Sequence, residues 1–256
     1  MLLAIDIGNS SVKFGVFARQ KLISKFTIPT VRQYSAKKIN SLIAGKLNRS
    51  IRAVVISSVV PQINDAFRNF SEKYLKTKPV FVNSNFDSGL KIKYDPPENL
   101  GVDRFVAAFA AAEKYGVPCI VCDFGTATTI DAVNSHSEFI GGIITPGIST
   151  LADSLNQKTA KLPRVEIKKP ASVFGNSTVS SIQSGIFYGY IGLTEGILRR
   201  MIDELVEKPR IIATGGFSGL IAEYCELIEI VDEDLMLEGL QMIYKKFSHE
   251  LHEYHE

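Results

Sequence analysis

One local pattern occurs twice in this chain, and the repetition restricts its folding more than any other feature. Leu2-Leu3-Ala4-Ile5-Asp6 runs through Ile7-Gly8-Asn9-Ser10-Ser11 into Val12-Lys13-Phe14-Gly15-Val16, and Val121-Cys122-Asp123 runs through Phe124-Gly125-Thr126-Ala127 into Thr128-Thr129-Ile130. Each copy reads as an apolar strand ending in an acid, a tight turn at a glycine, and a returning strand. A glycine there lets backbone N–H groups approach a ligand that a β-carbon would obstruct, and Thr126, Thr128 and Thr129 add hydroxyl donors. These are the parts of a phosphate cradle. A carboxylate cannot donate to phosphate, so the expected task of the acid is to hold a cation beside it. Either segment alone also reads as a hairpin with polar tips. Two of them imply two similar halves, whose turns could grip a nucleotide triphosphate and its metal.

Length agrees with two halves. A chain of 256 residues suits two domains, expected at residues 1–115 and 116–256, each able to bury its own core. Its 45% hydrophobic and 22% charged residues are ordinary for a soluble globular protein. A formal charge of +2 makes no field that would gather nucleic acid or an anionic membrane, so an acidic ligand must be held by local groups. No apolar run approaches the ~20 residues that span a bilayer, and the sequence opens on a strand rather than a signal segment, so a cytoplasmic location is expected.

The cysteines and histidines add little chemistry. Cys119 and Cys122 have the spacing of a metal or redox pair, but residues three apart on a strand face opposite ways, so both are expected as buried small hydrophobes. His249, His252 and His255 have helical spacing and are expected in a solvated tail rather than a metal site.

In order, Leu2–Asp6, Ser11–Phe17 and Lys21–Ile28 read as a meander, followed by an amphipathic helix near Ala36–Leu47. Ala53–Ser57 is a β-branched run suited to a buried parallel strand, and Pro61 opens a helix over Gln62–Leu75. Lys13, on the strand returning from the first turn, is placed either to reach a phosphate or to stand as an exposed lysine. Further on, Pro96 and Pro97 stiffen the segment from Lys91, and Gly101 turns it into an Ala-rich helix over Phe105–Lys114. Asp103 and Arg104 therefore sit at a helix N-terminus. Asp103 reads there as a cap, or, with the adjacent guanidinium, as a pair that binds and deprotonates an anionic alcohol.

The paired Asp-x-Gly turns resemble those of the actin, Hsp70 and sugar-kinase superfamily, whose halves are ribonuclease-H-like and bind ATP between them; the implied fold class is α/β with two such domains. A narrower likeness covers nearly the whole chain. Asp6-Ile7-Gly8-Asn9-Ser10, Gly101-Val102-Asp103-Arg104, Asp123-Phe124-Gly125-Thr126, Gly141-Gly142-Ile143-Ile144-Thr145-Pro146-Gly147 and Thr214-Gly215-Gly216 occur in the order seen in type III pantothenate kinases, which the chain resembles. Ser10 stands where that family more usually has Thr, and keeps the hydroxyl.

The resemblance implies ATP-dependent phosphorylation of pantothenate, with roles residue by residue. Asp6, Ile7, Gly8, Asn9, Ser10, Ser11, Val12 and Lys13 would line the ATP phosphates, Asp6 would hold magnesium, and Thr126 would be the matching contact from the second half. Asp103 would be the base. Asp123 matches the residue that holds a monovalent cation, potassium or ammonium. Tyr94, Gly101, Val102, Asp103, Arg104 and Thr178 match positions that contact pantothenate, Thr178 from a neighbouring subunit. The alternatives are another small-molecule kinase or phosphatase of the superfamily, or a regulator that binds nucleotide without reacting; no helix-turn-helix precedes the first strand, which disfavours a DNA-binding regulator.

Beyond the central hairpin, Phe139–Ile144 reads as a strand, Pro146-Gly147 as the turn into a helix through Leu155, and Lys158–Leu162 as a polar connection. One long helix is expected over Val179–Val206, with Gly185, Gly189, Gly192 and Gly196 on one face. Each glycine costs a helix roughly 1 kcal/mol, so four in line call for a closely packed neighbour, either this chain's own sheet or a second subunit. The resemblance favours a homodimer. Arg210–Ala213, Thr214-Gly215-Gly216 and a helix near Leu235–Phe247 complete the reading, the glycine turn being suited to a flat adenine or ribose.

Overall fold

The alternation of the first thirty residues becomes an antiparallel meander of β1 (Leu2–Ile7), β2 (Ser11–Ala18) and β3 (Lys21–Pro29) in the computed structural model, which describes residues 1–47 and 50–253. Helix α1 (Ala36–Ile43) follows, with Ser35 accepting from the Lys38 N–H as its N-cap. Then come β4 (Ala53–Ser58), α2 (Asn64–Phe70), which continues as a π turn over Ser71–Leu75, and β5 (Val80–Phe81). After β6 (Lys91–Ile92), helix α3 (Val102–Tyr115) starts three residues earlier than its alanines suggest, so Asp103 and Arg104 lie in its first turn.

The second pattern forms β7 (Cys119–Phe124), β8 (Ala127–Val133) and β9 (Glu138–Pro146), followed by α4 (Ile148–Lys158) and α5 (Thr178–Glu204). Ser177 and Ser180 close a reciprocal capping box at the start of α5. The remaining elements are β10 (Arg210–Thr214), α6 (Ser218–Ala222), β11 (Ile230–Val231) and α7 (Leu235–Glu253). His255 lies outside the described residues, as do the side chains of His249 and His252.

The chain divides into two units. The first comprises Met1–Leu90, Tyr94–Ala110 and the residues from Asp234 onward; the second comprises Lys91–Lys93 and Ala111–Glu233. In the first, the sheet order is β3-β2-β1-β4-β5, with β4 parallel to β1 and β5 parallel to β4. Leu3, Ile5 and Ile7 pack with Ile39, Ile43, Phe67 and Phe70 of α1 and α2. The opposite face of β1 and β2 carries α7, and a β-carbon on Gly15 would lie 3.2 Å from Leu237 Cδ1. Helix α7 also seats against α3 through Gly239, where a β-carbon would meet Ala110 Cβ and Val106 Cγ1 at 2.9 Å.

The second unit repeats that order as β9-β8-β7-β10-β11 and adds β6 beside β9. The meander is again antiparallel and β10 and β11 again run parallel to β7. One face of this sheet, with Ile120, Cys122 and Phe124, is covered by Phe187, Tyr190, Ile191 and Leu198 of α5. The strands that periodicity did not reveal, β5, β6 and β11, have two residues each, too few to show alternation.

Candidate active site

Both repeated turns lie between the first two strands of their sheets, and in each unit the acid is the last polar residue before the turn. Asp6 faces away from the α1 and α2 core, opposite Lys13 on β2 and Ser57 on β4. The Ser57 hydroxyl donates to Asp6 Oδ1 at 2.8 Å. Burial pushes the Asp6 carboxyl above its ordinary value; Lys13 and the Ser57 bond oppose that, and the charge of Asp103 adds to it. The Asp6 carboxyl thus lies within the electrostatic reach of both Lys13 and Asp103 in the first unit. Ile7 and Val12 are fully buried core residues, so only their backbone can face a ligand.

The loop after Asp6 is braced by Thr30, the residue that follows β3. The Gly8 N–H donates to Ser11 O at 3.0 Å, the Thr30 N–H donates to Ser10 O at 3.0 Å, and the Thr30 hydroxyl donates to Gly8 O at 2.7 Å.

In the second unit Asp123 pairs with Thr129 on β8 and Thr214 on β10. Gly215, at φ +94°, runs so close that a β-carbon would sit 2.5 Å from Asp123 Oδ1 and 2.7 Å from the Phe124 N. Glycine at 215 is therefore required by its packing on Asp123 and Phe124. A β-carbon on Gly147 would strike Gly125 O at 2.2 Å, and one on Gly142 would strike Ile130 O and Asp131 Oδ1 at 2.3 Å, which accounts for the other glycine-rich stretch. Thr126 O accepts from the Gly147 N–H at 3.0 Å and from the Thr150 hydroxyl at 2.6 Å. Of the three threonine hydroxyls expected at this turn, that of Thr128 is withdrawn: strand alternation buries it completely, against Tyr190 Oη.

At the start of α3 a β-carbon on Gly101 would meet Asp103 Oδ1 at 2.6 Å, so glycine there makes room for the carboxylate, which also accepts from the Arg104 N–H at 2.8 Å. Arg104 is buried; its Nη1 donates to Tyr94 Oη at 3.3 Å, and its guanidinium lies 5.2 Å from the Tyr94 ring centroid. Tyr94, which periodicity and spacing could not select, is thus joined to the Asp103 and Arg104 pair. Thr178, the first residue of α5, is exposed.

The residues at Asp6 fit magnesium. A desolvated carboxylate oriented by a serine, with a second carboxylate in its field, supplies the hard oxygen donors that ion takes while it keeps waters and phosphate oxygens in its shell. Among the described residues no three His, Cys, Asp or Glu side chains group as a metal cage. Asp123 Oδ1 is closely approached by Gly215, with Gly125 at ordinary contact distance. Sequence reasoning missed Ser57, Thr30 and Thr150, because each is an ordinary polar residue until the fold sets it beside a turn or its acid.

The cysteines are free and buried, and burial raises Cys119 to about 12 and Cys122 well above its ordinary value, so both stay protonated as apolar residues. A β-carbon on Gly185, Gly189 or Gly192 would meet nothing within 4 Å, so this chain's own sheet does not pack on the glycine face. No helix among the described residues is long and apolar enough to cross a membrane.

Comparison with known proteins matches residues 2–200 to the model of the type III pantothenate kinase family. A type III pantothenate kinase of Bacillus cytotoxicus is 43% identical over 252 residues, covering 96% of both chains. One of Dehalococcoides mccartyi is 43% identical over 250 residues, covering 95% of this chain and 97% of that one. The fold is shared with a ROK family glucokinase from Streptomyces griseus solved with glucose and AMPPNP, at a TM-score of 0.51, 14% identity, and coverage of 94% of this chain and 98% of that one. With its two turns, its Gly-Val-Asp-Arg segment and its glycine-rich stretches all built into the fold, the chain belongs to the type III pantothenate kinase family.

Proposed function

We propose that this chain transfers the γ-phosphoryl group of ATP to the primary hydroxyl of pantothenate, giving 4′-phosphopantothenate at the start of coenzyme A synthesis in the cytoplasm. Family membership supports the reaction. The observation that supports the assignment of residues is the Asp6 carboxylate, held by Ser57 and in register with Lys13, with Arg104 and Tyr94 in contact on the same unit.

Phosphoryl transfer asks for positioning and charge neutralisation more than covalent help. The Asp6–Lys13 segment binds ATP phosphates through backbone N–H groups and the Lys13 ammonium, and Thr126 is the contact from the second unit. Asp6 would hold magnesium, which when bound neutralises phosphate charge; Asp123 would hold potassium or ammonium. Asp103 accepts the proton of the attacking hydroxyl, and Arg104, steadied by Tyr94, binds the pantothenate carboxylate as a guanidinium does best. Gly101 and Val102 present that pair. The active unit is a homodimer joined along the glycine face of α5, with Thr178 completing a neighbour's pantothenate site.

Incubating the protein with ATP, magnesium, potassium and pantothenate and assaying for the phosphorylated product tests the reading. Product formation supports it; phosphorylation of a different alcohol, or nucleotide binding without turnover, overturns it in favour of another kinase or a regulator.

A further inference from the structure

Each of the repeated turns is held from outside by a threonine that neither copy of the pattern contains. Just past the end of β3, Thr30 uses its hydroxyl on Gly8 O at 2.7 Å and its N–H on Ser10 O at 3.0 Å. In α4, Thr150 uses its hydroxyl on Thr126 O at 2.6 Å, beside the Gly147 N–H on the same oxygen at 3.0 Å. A peptide unit is planar and trans, so the N–H of the following residue points opposite to each captured carbonyl. Tying down Gly8 O and Ser10 O turns the N–H groups of Asn9 and Ser11 away from β3, and tying down Thr126 O turns the Ala127 N–H away from α4. Left to themselves, such glycine-containing turns can flip these peptides, and a flipped peptide presents a carbonyl oxygen to an anion.

We infer that Thr30 and Thr150 are positioning residues for ATP binding: they fix the direction in which the two turns present their backbone N–H groups to phosphate oxygens. Neither hydroxyl needs to touch the nucleotide. The inference rests on the reading of the turns as phosphate cradles given above, and deepens it by naming what keeps each cradle in its binding form. The residue type matters, because serine keeps the donor while valine keeps the shape and loses it.

The test uses the full chain and its Thr30→Val, Thr30→Ser, Thr150→Val and Thr150→Ser variants. Binding of a non-hydrolysable ATP analogue with magnesium is measured by calorimetry, KM for ATP and for pantothenate by steady-state assay, and the unfolding midpoint by heating. One neutral hydrogen bond contributes about 1 kcal/mol, so each valine variant is expected to weaken analogue binding and raise KM for ATP about five-fold. KM for pantothenate stays as in the wild type, the unfolding midpoint falls by only about 2–4 °C, and the serine variants bind within two-fold of the wild type. Valine variants that bind as the wild type does, a parallel rise in both KM values, or serine variants no better than valine overturn the inference. The turns lie in different units, so if Thr30→Val does not fold, Thr30→Ala and the Thr150 pair decide it. A wild type that binds the analogue but leaves pantothenate unphosphorylated overturns the substrate reading and leaves the threonines to be judged by binding; a wild type that binds no analogue overturns both.

Discussion

Asp6 and Ser57 are register partners across the parallel strands β1 and β4, and the Ser57 hydroxyl donates to Asp6 Oδ1 at 2.8 Å in a buried setting. A hydroxyl donating to one oxygen restricts how the carboxylate can turn. Outer partners of this kind typically contribute 10–100-fold to metal affinity. Ser57→Ala is therefore expected to raise the magnesium concentration for half-maximal activity about ten-fold. A magnesium titration at saturating ATP and pantothenate checks it, and a curve that overlays the wild type removes Ser57 from the site.

Asp103 is expected to act on the acceptor hydroxyl rather than on the nucleotide, because its carboxylate is seated at the start of α3 over Gly101, next to the Arg104 and Tyr94 pair. Replacing it by asparagine keeps the size and loses the base. Asp103→Asn should lower kcat by ~10²–10⁴ while ATP still binds. Turnover close to that of the wild type would exclude a base at this position.

The packing of Gly215 beside Asp123 Oδ1 leaves no room for a larger residue at 215. Activity is expected to need potassium or ammonium, and Asp123→Ala to flatten that dependence. Rates are compared in potassium, ammonium and sodium salts at one ionic strength. Equal rates in all three for the wild type count against a specific monovalent site.

Since a β-carbon on Gly189 or Gly192 meets nothing within 4 Å, the chain itself can accommodate larger residues there, and helix propensity even favours them. Gly189→Leu with Gly192→Leu should keep the circular dichroism of the wild type, shift the mass in solution from dimer to monomer, and raise KM for pantothenate more than KM for ATP. A monomeric wild type, or a folded monomeric variant with unchanged pantothenate affinity, rules out the shared-site arrangement.

The buried hydroxyls of Thr128 and Tyr190 satisfy each other between β8 and α5. Tyr190→Phe deprives Thr128 of that partner and should cost about 1–3 kcal/mol in urea unfolding. Adding Thr128→Val should return most of the loss. A double variant as unstable as the sum of the two single ones shows that the pair is not coupled.

What the sequence disclosed is what its local patterns carry. Strand, acid, glycine and strand are written in consecutive residues, and so both turns were legible, as were the start of α3 near Asp103 and the stripe on α5. Even the inward turn of Thr128 follows from strand alternation. Ser57 lies 51 residues from Asp6 and Thr30 lies 22 from Gly8, and no local pattern tells which distant strand will come into register. Tyr94 and Thr178 came from family likeness alone, because one aromatic and one hydroxyl residue in loop-bordering positions have no periodicity to distinguish them. The short strands β5, β6 and β11 owe their pairing to longer neighbours rather than to their own residues.

Helix α7 brings Leu235, Met236, Leu237, Leu240 and Ile243 into buried positions in the first unit, although the residues of the second come between. Chains are made from the N-terminus, and the usual consequence is that the first domain to emerge is the first to mature. Here the order is inverted. The opening meander leaves the ribosome with the face around Gly15 still bare, and it stays bare until the whole stretch Ala111–Glu233 has been translated. The second unit has nearly all its residues in one run and can close while synthesis continues; the first, begun earliest, waits for its lid of leucines and is finished last.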